Sequence, residues 1–303
     1  MEPLENHSLE HNPIFFSSQE AHEWLADYLG SQDFQVSQMD DSIAIQLNGG
    51  IVRIDIKEAS LEFHGLWNKD MSGSDYRKAA ETVNTWNSNF AQPSTFLQNA
   101  EDGKVCFHSF MVTDNYADSL DETAQEIQNA LFLNDIYFAW LSEALYNSTI
   151  MMTREWDSYG QARAVSTLKH VESVFRNNHI YVSFNEENTA VVGVWCDERV
   201  PVIISSPPSI MGKILIEARR TYRKNQAHRD ILVDLALALT QSIKRYKVSV
   251  FSNEDCYVMG IETIVGFRSQ TPDEDIYAIV NASILRLLDI SQLTKGAISR
   301  DNG

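Results

Sequence analysis

Residues 119–145, SLDETAQEIQNALFLNDIYFAWLSEAL, are the stretch on which the fold turns. Leu120, Ala124, Ile127, Leu131, Phe138, Leu141 and Leu145 recur at helical spacing, and Ser119 with Glu122 three positions on makes a capping box at the start. The spacing predicts one long amphipathic helix. The same design returns at residues 271–290, TPDEDIYAIVNASILRLLDI. Thr271 stands as the cap, Pro272 at the first helical position and Glu274 closes the box, with Ile276, Val280, Ile284 and Leu287 as the stripe. The two cap positions, 119 and 271, are 152 residues apart.

Upstream of each long helix the elements come in the same order. SSQEAHEWLADYLG, with Trp24, Leu25, Tyr28 and Leu29 on one side and Gly30 as a stop, corresponds to SYGQARAVSTLKHVESVFRNN, with Val165, Leu168, Val171 and Phe175. Alternating, β-branched runs follow: FQVSQM, SIAIQLN, IVRIDIKEA and LEFHGLW in the first half, HIYVSF, TAVVGVW, VPVIISS and KILIEARRTY in the second. Separators such as Asp40-Asp41, Asn48-Gly49-Gly50 and Asn185 to Asn188 make these antiparallel hairpins. A second helix, Asp75 to Phe90 or Asp230 to Tyr246, and two more strands complete each unit. The expected fold is α+β, two similar helix–antiparallel sheet–helix units in tandem over 14–147 and 160–292, joined by a linker at 148–159.

Composition narrows the function classes. The chain has 303 residues, 44% hydrophobic and 22% charged, enough for two ordinary cores. The acidic N-terminus MEPLENHSLEHNP is unlike a signal peptide, and no uninterrupted apolar run reaches the roughly 20 residues of a membrane span, which reads as a cytoplasmic protein without a membrane partner. Cys106, Cys196 and Cys256 are odd in number and lie in or beside apolar runs, as buried thiols do. The formal charge of -18 falls wholly in the first half, with 24 acidic and 6 basic residues over 1–150 against 18 and 18 over 151–303. Such an acidic surface repels nucleic acid and suits basic partners.

Within the first unit, residues 83–90 read VNTWNSNF. Together with the strand KVCFHSFMV and the capped helix ending NDIYFAWLSEAL, this run resembles the YbjN-like proteins, described as bacterial sensory transduction regulators. The resemblance spans residues 14–146. Over 160–292 only the element order carries it, with LALALTQSIKRY standing where TVNTWNSNF does. It implies a fold like that of type III secretion chaperones, and a small interaction or regulatory module with no established chemistry. On a helical wheel Val83, Trp86 and Phe90 share the core face, Asn87 lies at its rim and Asn84 outside it, free to face a ligand or a neighbouring strand. Asn87 and Asn89 occupy the last turn, where amide side chains end helices.

Chemistry-bearing motifs are lacking. There is no Walker A loop, G-x-G-x-x-G, G-x-S-x-G, H-E-x-x-H or C-x-x-C. Cys106 and His108 at i, i+2 on a strand share a face that His64 joins if the strands pair, a zinc set weighed against simple packing among Phe107 and Phe110; packing is favoured and no metal or other cofactor is expected. Carboxylate clusters at 40–41, 121–122 and 273–275 fit turns and helix first turns better than acid–base work. The one basic concentration, KILIEARRTYRKNQAHR, offers Lys213, Arg219, Arg220, Arg223, Lys224 and Arg229 for contact between the halves or as a solvated edge, then for an acidic partner, and least for nucleic acid. The reading is a non-enzymatic protein-interaction module, chaperone-like and an internal pseudo-dimer, with no catalytic residue. Its candidate binding residues are Asn84, Asn87, Arg219, Arg220, Arg223 and Lys224, its partner another protein or a second copy of the chain. The alternative is an enzyme or a small-molecule-binding regulator using a cleft between the domains.

Overall fold

In the computed structural model two antiparallel six-stranded sheets carry the chain, and both halves follow one strand order. The structure describes residues 18–301 except 40–41, 58–59, 101, 115–118, 148–159, 181, 185–189, 196–199, 207–212, 225–226 and 269. The expected linker, Cys196 and the 40–41 and 185–188 separators lie outside the described residues.

The first half runs α1 (Ser18–Ser31), β1 (Val36–Met39), β2 (Ser42–Gln46), β3 (Gly50–Lys57), β4 (Ser60–Ser72), α2 (Tyr76–Asn89), β5 (Ser94–Asn99), β6 (Lys104–Asp114) and α3 (Leu120–Tyr146). The second runs α4 (Gly160–Asn177), β7 (Ser183–Phe184), β8 (Ala190–Trp195), β9 (Val200–Ser205), β10 (Ile214–Arg223), α5 (Arg229–Ser242), β11 (Tyr246–Ser252), β12 (Cys256–Val265) and α6 (Asp273–Asp301). The sheets order as β1-β2-β3-β4-β6-β5 and, read from the opposite edge, β7-β8-β9-β10-β12-β11. In each, the strand after the second helix lies at the edge, because the following hairpin places its outgoing strand beside the meander.

Strand alternation decides which face is buried. Val52, Ile54, Phe63 and Phe107 point to the helix side of the first sheet and are 0% exposed, as are Val202, Ile204, Ile216 and Ile261 in the second. The long helices close these cores with most of the expected stripes, Ile127, Leu131, Phe138 and Leu141 on α3 and Ile276, Val280, Ile284 and Leu287 on α6, while Leu120, at the start of α3, is exposed. Ser119 caps α3 as expected, its hydroxyl accepting from the Glu122 N–H at 3.1 Å. Gly65 on β4 leaves no room for a Cβ, since Ser109 and Asn134 close over it where α3 crosses.

Boundaries depart from expectation in three places. α5 stops at Ser242, because Tyr246 is already paired opposite Thr263 as the first residue of β11. α6 begins at Asp273, with Pro272 C=O accepting from the Ile276 N–H, and continues past 292 to Asp301. By length and composition α6 is apolar enough over Asp273–Lys295 to cross a bilayer, contrary to the sequence reading. In the fold its apolar stripe is buried against β10 and β12.

Candidate functional site

The helix that carries VNTWNSNF sits at the contact between the halves. Trp86 is core, 1% exposed, with its indole N–H donating to Pro93 C=O at 3.0 Å and its ring against Tyr137, Trp140 and Phe90. Phe90, expected on the same buried face, follows the helix in extended backbone and is 41% exposed.

The helix-end reading of Asn87 is overturned. Its amide N–H donates to Thr95 C=O at 2.8 Å, and its carbonyl oxygen accepts from the Thr95 N–H at 3.0 Å and hydroxyl at 2.9 Å. It thus occupies the outward hydrogen-bonding groups of the edge strand β5 instead of the helix carbonyls. Asn89 does serve the helix end, donating to Thr85 C=O at 2.7 Å.

Asn84 makes the corresponding pair of bonds across the molecule. It donates to Val250 C=O at 2.7 Å and accepts from the Val250 N–H at 2.8 Å, on the edge strand of the other sheet. Of the two roles open to it from sequence, ligand or neighbouring strand, the geometry gives it the strand. In the second half Thr240 of α5 bonds both N–H and C=O of Val248 on β11, matching Asn87 and Thr95. The exchange is reciprocal: α2 packs on β11, α5 on β5, and α2 on α5. Ion pairs follow the same reciprocity, Arg77 to Asp234 at 2.8 Å and Arg229 to Glu81. A buried pair, Lys213 Nζ to Glu126 at 2.6 Å, joins the residue just before β10 to α3.

Beside this contact a cleft of about 960 Å³ opens between α2, α3 and the outward face of the second sheet. Leu133, Ile136, Phe90 and Ile203 supply its apolar side. The sheet supplies charge. Glu217 and Glu262 lie directly opposite each other on β10 and β12, a like-charge pair that each acid offsets with its own cation: Arg219 on Glu217 at 2.7 and 2.8 Å, Lys247 on Glu262 at 2.8 Å. Lys247 also donates to the Phe90 and Ala91 carbonyls that follow α2, so one second-half lysine closes the helix of the first. Burial holds the Glu262 carboxyl above the usual carboxylate range, the Lys247 charge opposing it and Glu217 adding to it. Gln92 Oε1, in the cleft, is buried without a hydrogen-bond partner, as is Ser249 Oγ on β11.

The basic run is dispersed by strand alternation. Arg219 faces the cleft, Arg220 turns to the other face and donates to Ser291 of α6 at 2.7 Å, Arg223 is exposed, and Lys224 donates to Glu254 C=O at 2.9 Å. Its ends, Lys213 and Arg229, are the residues that reach the first half. Lys247, Glu217 and Glu262 escaped the sequence reading because charges alternating along a strand look like a solvated face.

The considered zinc set does not assemble. β4 and β6 pair with His64 opposite Phe110 and His108 opposite Leu66, and aromatic rings fill the space: Phe96 stacked on His108 at 5.4 Å, Phe110 tilted on His64 at 5.0 Å. Burial lowers the pKa of both imidazoles and raises that of the Cys106 thiol. His64 instead stands beside Asp55 and Glu62, its Nε2 at 3.4 and 3.6 Å from their oxygens.

No family model matches the chain, and no curated protein matches it. Among solved structures it is similar to YbjN from E. coli, a candidate transcription regulator, at 11% identity and a TM-score of 0.34, over 43% of this chain and 95% of that one. That is a distant likeness of fold.

Proposed function

We propose that the chain is a non-enzymatic protein-interaction or regulatory module, in which two YbjN-like units are held as a covalent pseudo-dimer and take a partner segment in the cleft between them. The reciprocal seating of α2 on β11 and α5 on β5 carries this reading, because it is the arrangement two separate subunits would use. The cleft supports a protein partner by its mixed lining: exposed Phe90 and half-buried Ile136 offer apolar anchors, and Arg219 a charged rim. A small polar ligand is the second reading, favoured by the unpartnered Gln92 carbonyl in the same cleft.

A photoreactive residue in place of Phe90 of the full chain should form an adduct with one protein species in cells, and Ile136→Lys should abolish it. Adducts unchanged by Ile136→Lys, or adducts with nucleic acid, would overturn the partner assignment. Separately expressed 1–147 and 148–303 should co-purify one to one if the pseudo-dimer reading holds.

A further inference from the structure

Among the described residues, two places set like charges directly opposite each other on adjacent strands, an unfavourable arrangement unless a cation intervenes. In the second sheet Glu217 and Glu262 have a cation each. In the first, Asp55 on β3 faces Glu62 on β4, and a single arginine serves them: Arg53 holds Asp55, Nε to Oδ1 at 2.7 Å and Nη2 to Oδ2 at 3.1 Å. Glu62 is left with His64, whose Nε2 is closed to solvent and has no hydrogen-bond partner. From that nitrogen the Asp55 and Glu62 oxygens lie at 3.4 and 3.6 Å, beyond the roughly 3.2 Å of a hydrogen bond.

Those separations suit a different contact. Zinc held tetrahedrally at about 2.0–2.2 Å sets its ligand atoms about 3.3–3.6 Å apart along each edge. All three donor atoms fall within 4.8 Å of one another, the one such set among the described residues. We infer that Asp55, Glu62 and His64 form a site for a zinc-class divalent cation on the outward face of the first sheet. The ion supplies the positive charge the pair lacks. Arg53, bonded to both oxygens of Asp55, acts as the outer group that orients this ligating carboxylate, and the three protein ligands leave one coordination position for water. The strand register supports a local device: the corresponding positions in the second sheet are Ser205, Leu215 and Glu217, which offer no such set.

The test is equilibrium dialysis of the full chain against Zn²⁺ after chelator treatment, with Glu62→Gln, His64→Ala and, as a control on the same face, Leu66→Ala. The expected result is one ion per chain, affinity at least about 100-fold weaker in Glu62→Gln and His64→Ala, and unchanged in Leu66→Ala. Co²⁺ added in place of zinc should give the intense visible absorption of a four-coordinate centre, absent from His64→Ala. Equal zinc binding by the parent and both ligand variants would show binding to the acidic surface and overturn the site, as would no binding by the parent. Matching circular dichroism spectra guard against an unfolded variant, and Glu62→Gln keeps the test intact should His64→Ala fold poorly.

Discussion

The two sheets share a strand order and cover their helix-side faces alike, but their outward faces differ position by position. Where the first sheet carries Ser94, Phe96, His108, Phe110 and His64, the second carries Lys247, Ser249, Gly260, Glu262 and Glu217. At these positions one face is aromatic and imidazole, and the other carries paired charges, with Lys247 and Glu262 buried under the first half. The helices repeat the contrast. Asn87 and Thr240 both bond their own edge strand, but Asn84 reaches across to Val250 where its counterpart Leu237 offers only apolar surface. Equivalent backbones thus hold two kinds of contact, and the polar ones are concentrated where the halves meet.

Breaking the charged face should have the largest effect. Lys247→Met leaves Glu262 buried beside Glu217 without its cation and should cost about 3–5 kcal/mol at neutral pH. The sign of the pH dependence follows from Glu262: burial and Glu217 both raise its folded-state pKa, so the variant binds a proton more readily folded than unfolded. Its stability should rise as pH falls from that raised value toward the ordinary carboxylate range. Urea denaturation at pH 7 and pH 5 reads both effects, and a variant less stable at the lower pH than the parent by the same margin would refute the account.

Asn87→Ala should lower stability by about 3 kcal/mol, since it strands both the N–H and C=O of Thr95 in the core. A loss of only about 1 kcal/mol would restore the helix-end role. Asn84→Ala should cost about 2 kcal/mol, less because Ser88 also reaches Val250 C=O, at 3.4 Å. It should also weaken re-association of separately expressed halves, which Asn87→Ala should leave nearly intact; titration calorimetry on the half-chains compares the two. The smallest effect belongs to Arg77→Ala, about 0.5–1 kcal/mol, because Arg77 and Asp234 are each 43% exposed. A double-mutant cycle with Asp234→Ala measures it.

Local physics made much of this legible from sequence. Helical period placed α3 and its counterpart, the Ser119 cap fixed the start of α3, and alternation with β-branched residues placed the strands. The wheel put Asn84 outside its own unit's apolar stripe, and it does leave that unit. What answers it, Val250, lies 166 positions away, and no local pattern announces such a partner. The same limit hid the site. Lys247 and Glu262 read as solvated because each alternates with core residues, and only the first half's α2 and α3 remove that face from water. Asp55, Glu62 and His64 were separately visible, but their convergence depends on the β3–β4 register, which is fixed by the hairpin and not by composition.

The seating of Asn84 on Val250 also bears on synthesis. The first half leaves the ribosome about a hundred residues before β11 exists, roughly 5–20 s at ordinary elongation rates. For that interval its amide and the Phe90 and Ala91 carbonyls face water or a chaperone instead of Val250 and Lys247. The nascent half therefore waits with a polar face open, and the last strands of the second half arrive as its lid.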